Sequence, residues 1–354
     1  MVLLGFHASH EQISPSRLLR DVQRAEAAGF DGAMCSDHLA PWSLRQGHSG
    51  FALSWLGAAL ATTTFPIGVV NAPGQRYHPV VVAQAFATLE EMHPGRFWAA
   101  LGSGENMNEH VTGDPWPDKA TRTARLGEAV TVIRRLLAGE EVSHEGLVRA
   151  HRARVWSRPA TPPPLLATAV SAETAAWAAG WADGLVTVAQ EPAALRAVVD
   201  AYRGAGGRGP LALQVHVSLA EDDAAAYALA VDQWRNAVVP QPQSWDLEQP
   251  EDFDVAAREL AADEASAPTE ASAPTDASAP TEASAPTEAS DAVVNEAALR
   301  AAVLVDHDVT SLARRLADLA AIGFDRLYLH HVAQDNDPFL AAAPRLLAEI
   351  RRLA

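Results

Sequence analysis

Three short stretches combine residue types that can move protons around a flat ligand. In Ser36-Asp37-His38-Leu39-Ala40-Pro41-Trp42 an imidazole stands next to a carboxylate and four residues before an indole. Imidazole titrates near ~6.5, so His38 can accept a proton near neutral pH, and Trp42 offers an apolar face to a ring system. In Leu101-Gly102-Ser103-Gly104-Glu105-Asn106-Met107-Asn108-Glu109 two glycines allow close backbone approach to a ligand. Glu105 can donate a proton there if burial raises its pKa. Met107 stands where a dinucleotide fingerprint needs its third glycine, so this is no such fingerprint. The third stretch, Val69-Val70-Asn71-Ala72-Pro73-Gly74, leads into Arg76-Tyr77-His78-Pro79.

The elements around these stretches alternate between short apolar runs and helices. Strands are expected at Val2–Phe6, Gly32–Ser36, Pro66–Val70, Phe97–Leu101, Pro164–Thr168, Gly184–Val188, Leu211–Ser218 and Arg326–His330. Helices are expected between them at Ser14–Gly29, Phe51–Thr62, Pro79–His93, Lys119–Leu137, Ala172–Ala179, Pro192–Arg203 and Asp222–Val238, then at Val309–Ala321 and Pro338–Leu353. In the first helix Ser14 is read as the cap, Pro15 as the first turn and Gly29 as the left-handed stop. Parallel strands need crossover helices, and eight such units close into a (β/α)8 barrel, an open doubly wound α/β sheet being the alternative. In both architectures chemistry gathers at the C-terminal strand ends, where all three stretches fall.

Composition narrows the classes. The net charge is −17, and no basic stripe interleaves with aromatics, which argues against a nucleic-acid partner. Cys35 is the single cysteine, so no intrachain disulfide forms and a cytoplasmic setting is expected. Within strand two it reads as buried filler rather than a nucleophile. No window approaches twenty apolar residues, and the N-terminus lacks the pattern of a signal peptide. From Ala265 the hexamer Ala-Ser-Ala-Pro-Thr-Glu/Asp runs four times to Glu288. Prolines at that spacing among small residues cannot hold a core or a helix, so residues 263–291 read as a disordered insert between barrel segments 1–262 and 292–354.

With these elements in place, Asp37-His38 with Trp42, the run Arg76 to Thr88, and Gly102 to Glu109 resemble the F420-dependent glucose-6-phosphate dehydrogenase family of the luciferase-like barrels. The resemblance covers about residues 1–240 and 295–354. It implies an oxidoreductase in which His38 takes a carbinol proton, Trp42 steadies the intermediate and Glu105 protonates the reduced cofactor. It also implies that Asp37, Gly104 and Asn108 contact the cofactor. Val69, Val70 and Ala72 would form a bulge behind its ring, with a non-proline cis peptide.

Departures from the family pattern shape the remaining expectations. Ala169-Val170-Ser171 replaces the glycine pair that holds the cofactor phosphate, which favours FMN, with coenzyme F420 as the alternative. Val188-Ala189-Gln190-Glu191 and Gln334-Asp335-Asn336-Asp337 stand where the family carries basic residues, so a small substrate other than a sugar phosphate is expected. An O2-using monooxygenase and a non-catalytic flavin-binding barrel remain open, as does a homodimer. No metal is expected. Of the adjacent His330 and His331 at the last strand, only one can face a pocket. His144 and His151 read as surface residues.

Overall fold

The computed structural model describes residues 2–266 and 294–354. Apolar β-forming runs produce β1 (Leu3–Ala8), β2 (Gly32–Ser36), β3 (Ile67–Asn71) and β4 (Phe97–Leu101). A small hairpin, β5 (Val142–His144) with β6 (Ala150–Ala153), interrupts the alternation. β7 (Leu165–Thr168), β8 (Leu185–Val188), β9 (Leu211–Leu219), β10 (Leu304–Asp306) and β11 (Arg326–His331) follow.

Eight of these strands run parallel in the order β9, β11, β1, β2, β3, β4, β7, β8, and β8 pairs back with β9 to close the ring. β10 lies outside the ring, paired with the end of β9 through Val217–Leu219. The closed (β/α)8 barrel excludes the open-sheet alternative. The hairpin and β10 escape a reading based on apolar periodicity because Val-Ser-His, Ala-His-Arg-Ala and Leu-Val-Asp hold no apolar run longer than two residues.

Alternation along the strands sorts side chains into two cores. Leu4, Phe6, Cys35 and Val69 point outward into the layer shared with the helices. Met34, Trp98, Leu166, Val186, Ala212 and Tyr328 fill the barrel itself. Gly68 makes room for the inner indole: a Cβ there would lie 1.9 Å from Trp98 Cε2. The helix Pro79–Met92 buries Val82, Ala83, Phe86 and Ala87 as one stripe, and Phe86 packs on Phe97 with centroids 5.3 Å apart. Removing such an aromatic leaves a cavity that costs about 3–5 kcal/mol.

Two local expectations change. The helix Pro15–Ala27 has no side-chain cap from Ser14, so Pro15 and the chain direction start it, while Gly29 does adopt φ 96°. The helix Pro250–Ser266 includes the first four residues assigned to the 263–291 insert, and the rest of that insert lies outside the described residues. No helix among the described residues is long and apolar enough to cross a membrane.

Candidate active site

The C-terminal strand ends surround a cavity of about 570 Å³, the size of a cofactor and a small molecule together. His38, Trp42 and Glu105 meet at one end of it. His38 follows β2, and its Nδ1 lies 2.7 Å from Oε1 of Glu11, which follows β1. Ser9 Oγ donates to the other Glu11 oxygen at 2.7 Å. Burial opposes the Glu11 charge, but the His38 imidazole and the Ser9 hydroxyl outweigh it, holding the carboxyl at about 2. Burial would lower His38 as well; the adjoining Glu11 carboxylate, and more weakly Glu105, raise it instead. His38 Nδ1 thus faces the Glu11 carboxylate as an ion pair, and Nε2 is the nitrogen turned to the cavity side where protons can be exchanged.

That Nε2 lies 3.8 Å from Glu105 Oε2. Burial raises the Glu105 pKa, and the neighbouring Glu109 and Glu11 add to the effect. The carboxyl is thus biased to hold a proton. The loop carrying it is pinned by Asn108, whose Oδ1 accepts from the Leu39 amide at 2.7 Å. Gly104 turns the chain with φ 84° just before Glu105. The Trp42 ring stands edge-on to His38 at 5.0 Å and to Phe253 at 5.4 Å. The indole thereby closes one wall against water.

A second charged pair lies behind the first. Asp37 accepts from Asn71 Nδ2 at 2.9 Å and pairs with Arg76 at 3.3 Å. Its Oδ1 and the Asn71 Oδ1 are buried acceptors without a donor among the described residues, so they suit N–H groups of a polar heterocycle.

A further wall, formed by Gln214 and three imidazoles, is polar but uncharged. Gln214 Nε2 lies 3.3 Å from His330 Nδ1 and 3.3 Å from His216 Nε2. An amide nitrogen only donates, so both ring nitrogens act as acceptors. His330 carries its hydrogen on Nε2, which donates to Gln12 Oε1 at 2.7 Å. His7 stacks on His330 at 4.4 Å. Burial pushes His7 down to about 3, His216 to about 4 and His330 well below its ordinary value, so all three are neutral at pH 7.

Most of the residues singled out from sequence line this cavity: Asp37, Val70, Ala72, Gly104, Asn108, Ala169 and Val170 join His38, Trp42 and Glu105. Val69 instead points into the outer core, because it alternates with Val70. Ser171 caps its own helix, accepting from the Thr174 amide at 3.3 Å. Among the described residues the one cis peptide is Gln241–Pro242, not the bulge at residues 69–72.

The acids after β11 do not repel anything in the cavity. Asp335 pairs with Arg17, Asp337 with Arg24, and Asn336 donates to Asp21, all outside the cavity lining. His330 takes the pocket position while His331 stacks on Phe339 at 4.8 Å. Cys35 is buried, with its thiol pushed up by desolvation. His144 is tied to Glu128 at 3.0 Å.

Sequence reasoning missed Glu11, Arg76, Gln214 and His216 as cavity residues. The signal for Glu11 was its place directly after the first strand. Arg76 opens the run Arg76 to Thr88, whereas Gln214 and His216 carry no local motif.

A family model described as luciferase-like monooxygenase matches residues 1–334. An F420-dependent glucose-6-phosphate dehydrogenase of Beutenbergia cavernae is 46% identical over 189 residues, 52% of this chain and 56% of the relative. An F420-dependent hydroxymycolic acid dehydrogenase of Mycobacterium tuberculosis is 39% identical over 241 residues, 66% of each chain. The chain thus spans little more than half the length of the glucose-6-phosphate dehydrogenases it matches. Among solved structures, an F420-dependent secondary alcohol dehydrogenase holding an F420–acetone adduct superposes with a TM-score of 0.83, at 25% identity and 99% coverage of both chains. FMN or a modified FMN is bound in structures only 14% and 13% identical, which share the fold alone. The cofactor expectation therefore shifts from FMN towards F420. The sugar phosphate in the relatives' names stands partly against the substrate expectation.

Proposed function

From the premise that this chain belongs to the luciferase-like monooxygenase family, we propose that it is an F420-dependent oxidoreductase interconverting a small uncharged alcohol and its carbonyl compound. The observation that carries this reading is His38 held between Glu11 at 2.7 Å and Glu105 at 3.8 Å at the end of a roomy cavity. The names of the relatives support the cofactor.

The bound deazaflavin would supply the hydride acceptor. Asp37 and Asn71 would hold it, since their buried Oδ1 acceptors fit its N–H groups, with Val70 and Ala72 lining the cavity beside them. His38 Nε2 removes the hydroxyl proton of the substrate. Glu11 stabilises the imidazolium so formed and keeps the ring from turning. Glu105 holds a proton on the far side of His38, where it can be given up or taken back. Trp42 and Phe253 exclude water from the reacting carbon.

The dehydrogenases among the relatives support hydride transfer over O2 use. An uncharged substrate is favoured because Arg76, the cation at this end, is already engaged by Asp37 and the imidazole wall is neutral.

The test is to follow F420 absorbance with a panel of secondary alcohols and with glucose 6-phosphate. Turnover is expected with uncharged alcohols. His38→Ala and Glu105→Gln are each expected to lower kcat by about 10²-fold or more while cofactor binding persists. Unchanged rates in both variants would overturn the catalytic assignment, and turnover of glucose 6-phosphate alone would overturn the substrate class. Binding of FMN but not F420, read from the visible spectrum, would overturn the cofactor.

A further inference from the structure

The chemistry above leaves one buried carboxylate of the cavity unused: Glu109, at the end of the short helix Asn106–Glu109. It is 2% exposed. Its Oε2 accepts from the backbone amides of Arg76 and Gln75 at 2.6 and 3.1 Å. Its Oε1 is buried with no donor among the described residues. Burial raises its pKa, with the two amides and the Arg76 charge opposing the rise. A carboxylate is a costly group to bury, and what this one grips is the main chain of another loop.

That loop follows β3. Gln75 ties it down a second time, its Nε2 donating to Thr112 Oγ1 at 3.3 Å and to the Asp114 carbonyl at 3.0 Å. Arg76 reaches the other way: its Nη2 donates to the Asp37 carbonyl at 2.7 Å and to Asp37 Oδ2 at 3.3 Å. The same Oδ2 accepts from Asn71 Nδ2 at 2.9 Å, which leaves the Oδ1 atoms of Asp37 and Asn71 as buried acceptors. Contacts therefore run from Glu109 through the backbone and side chain of Arg76 to these acceptors, joining the loops after β2, β3 and β4. The turn before Glu105 rests on the same side chain, since a Cβ on Gly104 would lie 3.1 Å from Glu109 Cγ.

We propose that Glu109 is a positioning residue for cofactor binding: by gripping the loop after β3 it holds Arg76 on Asp37, and so keeps the Asp37 and Asn71 acceptors set for the cofactor ring. This rests on the deazaflavin reading above, in which those acceptors meet the ring. Glu109 touches neither cofactor nor substrate in this role and acts through Arg76.

The experiment is a fluorescence titration of the full chain with coenzyme F420, joined to initial rates with a secondary alcohol. Glu109→Ala is expected to raise the F420 Kd about tenfold or more and to leave the alcohol KM within about twofold of the parent. Glu109→Gln keeps an oxygen for the two amides and is expected to recover most of the affinity. Glu109→Asp keeps the charge but draws the oxygens back by one methylene, and is expected to lose affinity as Glu109→Ala does; it carries the test if Glu109→Ala does not fold. Arg76→Ala is expected to weaken F420 binding as well, and the double variant with Glu109→Ala to bind no more weakly than the weaker single one, because the two act in series. Parental F420 affinity in Glu109→Ala and Glu109→Asp, additive losses in the double variant, or an equal rise in the alcohol KM would each overturn the proposal. Asp37→Ala separates it from the reading beneath it. If that variant binds F420 as the parent does, the ring contacts fail; if it binds weakly while Glu109→Ala does not, only the positioning role fails. Should the unaltered chain bind FMN but not F420, the deazaflavin reading falls, and the same comparisons made with FMN decide the role of Glu109.

Discussion

Glu11 and His38 stand 27 residues apart in sequence and 2.7 Å apart in space, on the loops that leave two neighbouring strands. The strand register Ala8↔Cys35 sets their approach. The carboxylate orients the imidazole and raises its pKa. Glu11 is thus a positioning residue whose effect reaches the reacting atoms through His38.

Glu11→Gln removes the charge that raises His38. The His38 pKa falls, so the acid limb of the kcat/KM profile, where activity grows as His38 loses its proton, moves to lower pH. The weaker base lowers the maximal rate on the order of tenfold. A pH profile of both proteins checks this, and a limb that stays in place while the rate drops would show that Glu11 acts only on packing.

Gln214→Leu takes the shared donor from His216 and His330, leaving two buried ring nitrogens without hydrogen bonds. About 2 kcal/mol or more of stability is expected to be lost. Urea unfolding midpoints measure it; a midpoint equal to the parent's would mean that the imidazole chain contributes no stability.

Gly104→Ala places a side chain at φ 84°, with its Cβ 3.1 Å from Glu109 Cγ. The backbone strain costs about 1–2 kcal/mol, and relieving it shifts Glu105. Calorimetry is expected to show a Tm lower by a few degrees, together with weaker cofactor binding. A variant matching the parent in both respects would mean that the turn tolerates a Cβ.

Acid stability follows from the buried imidazoles. His7 is pushed down to about 3, and His10, His216 and His331 to about 4, chiefly by desolvation. The unfolded chain takes up protons at these groups below pH ~6.5, but the native one does so only near pH 3–4. Stability is therefore lost as pH falls through that window, by on the order of a few kcal/mol per group. Glu11, held at about 2, adds a loss below pH ~4.5. His38 has the opposite sign: its raised pKa stabilises at low pH, and that contribution goes as pH rises through its native value. A steep fall of Tm between pH 6.5 and 4 is expected, and a flat Tm over that range would contradict the buried neutral state.

What the sequence determined by itself was local. Largely apolar runs of five to eight residues separated by amphipathic helices were enough to find the eight barrel strands, because strand and helix periods depend on near neighbours. The same reasoning placed the His38, Val70 and Glu105 stretches at strand ends, since every parallel strand of a barrel delivers its following loop to one face. It also established that His330 and His331 could not both face inward. Only the tertiary structure decided which of them does, because the facing of a strand depends on how the ring closes on β9 and β1. The partners of His38 and the neutral chain through Gln214 were likewise hidden. Each joins groups from separate strands or helices, and their distances follow from barrel closure and loop packing rather than from any spacing along the chain.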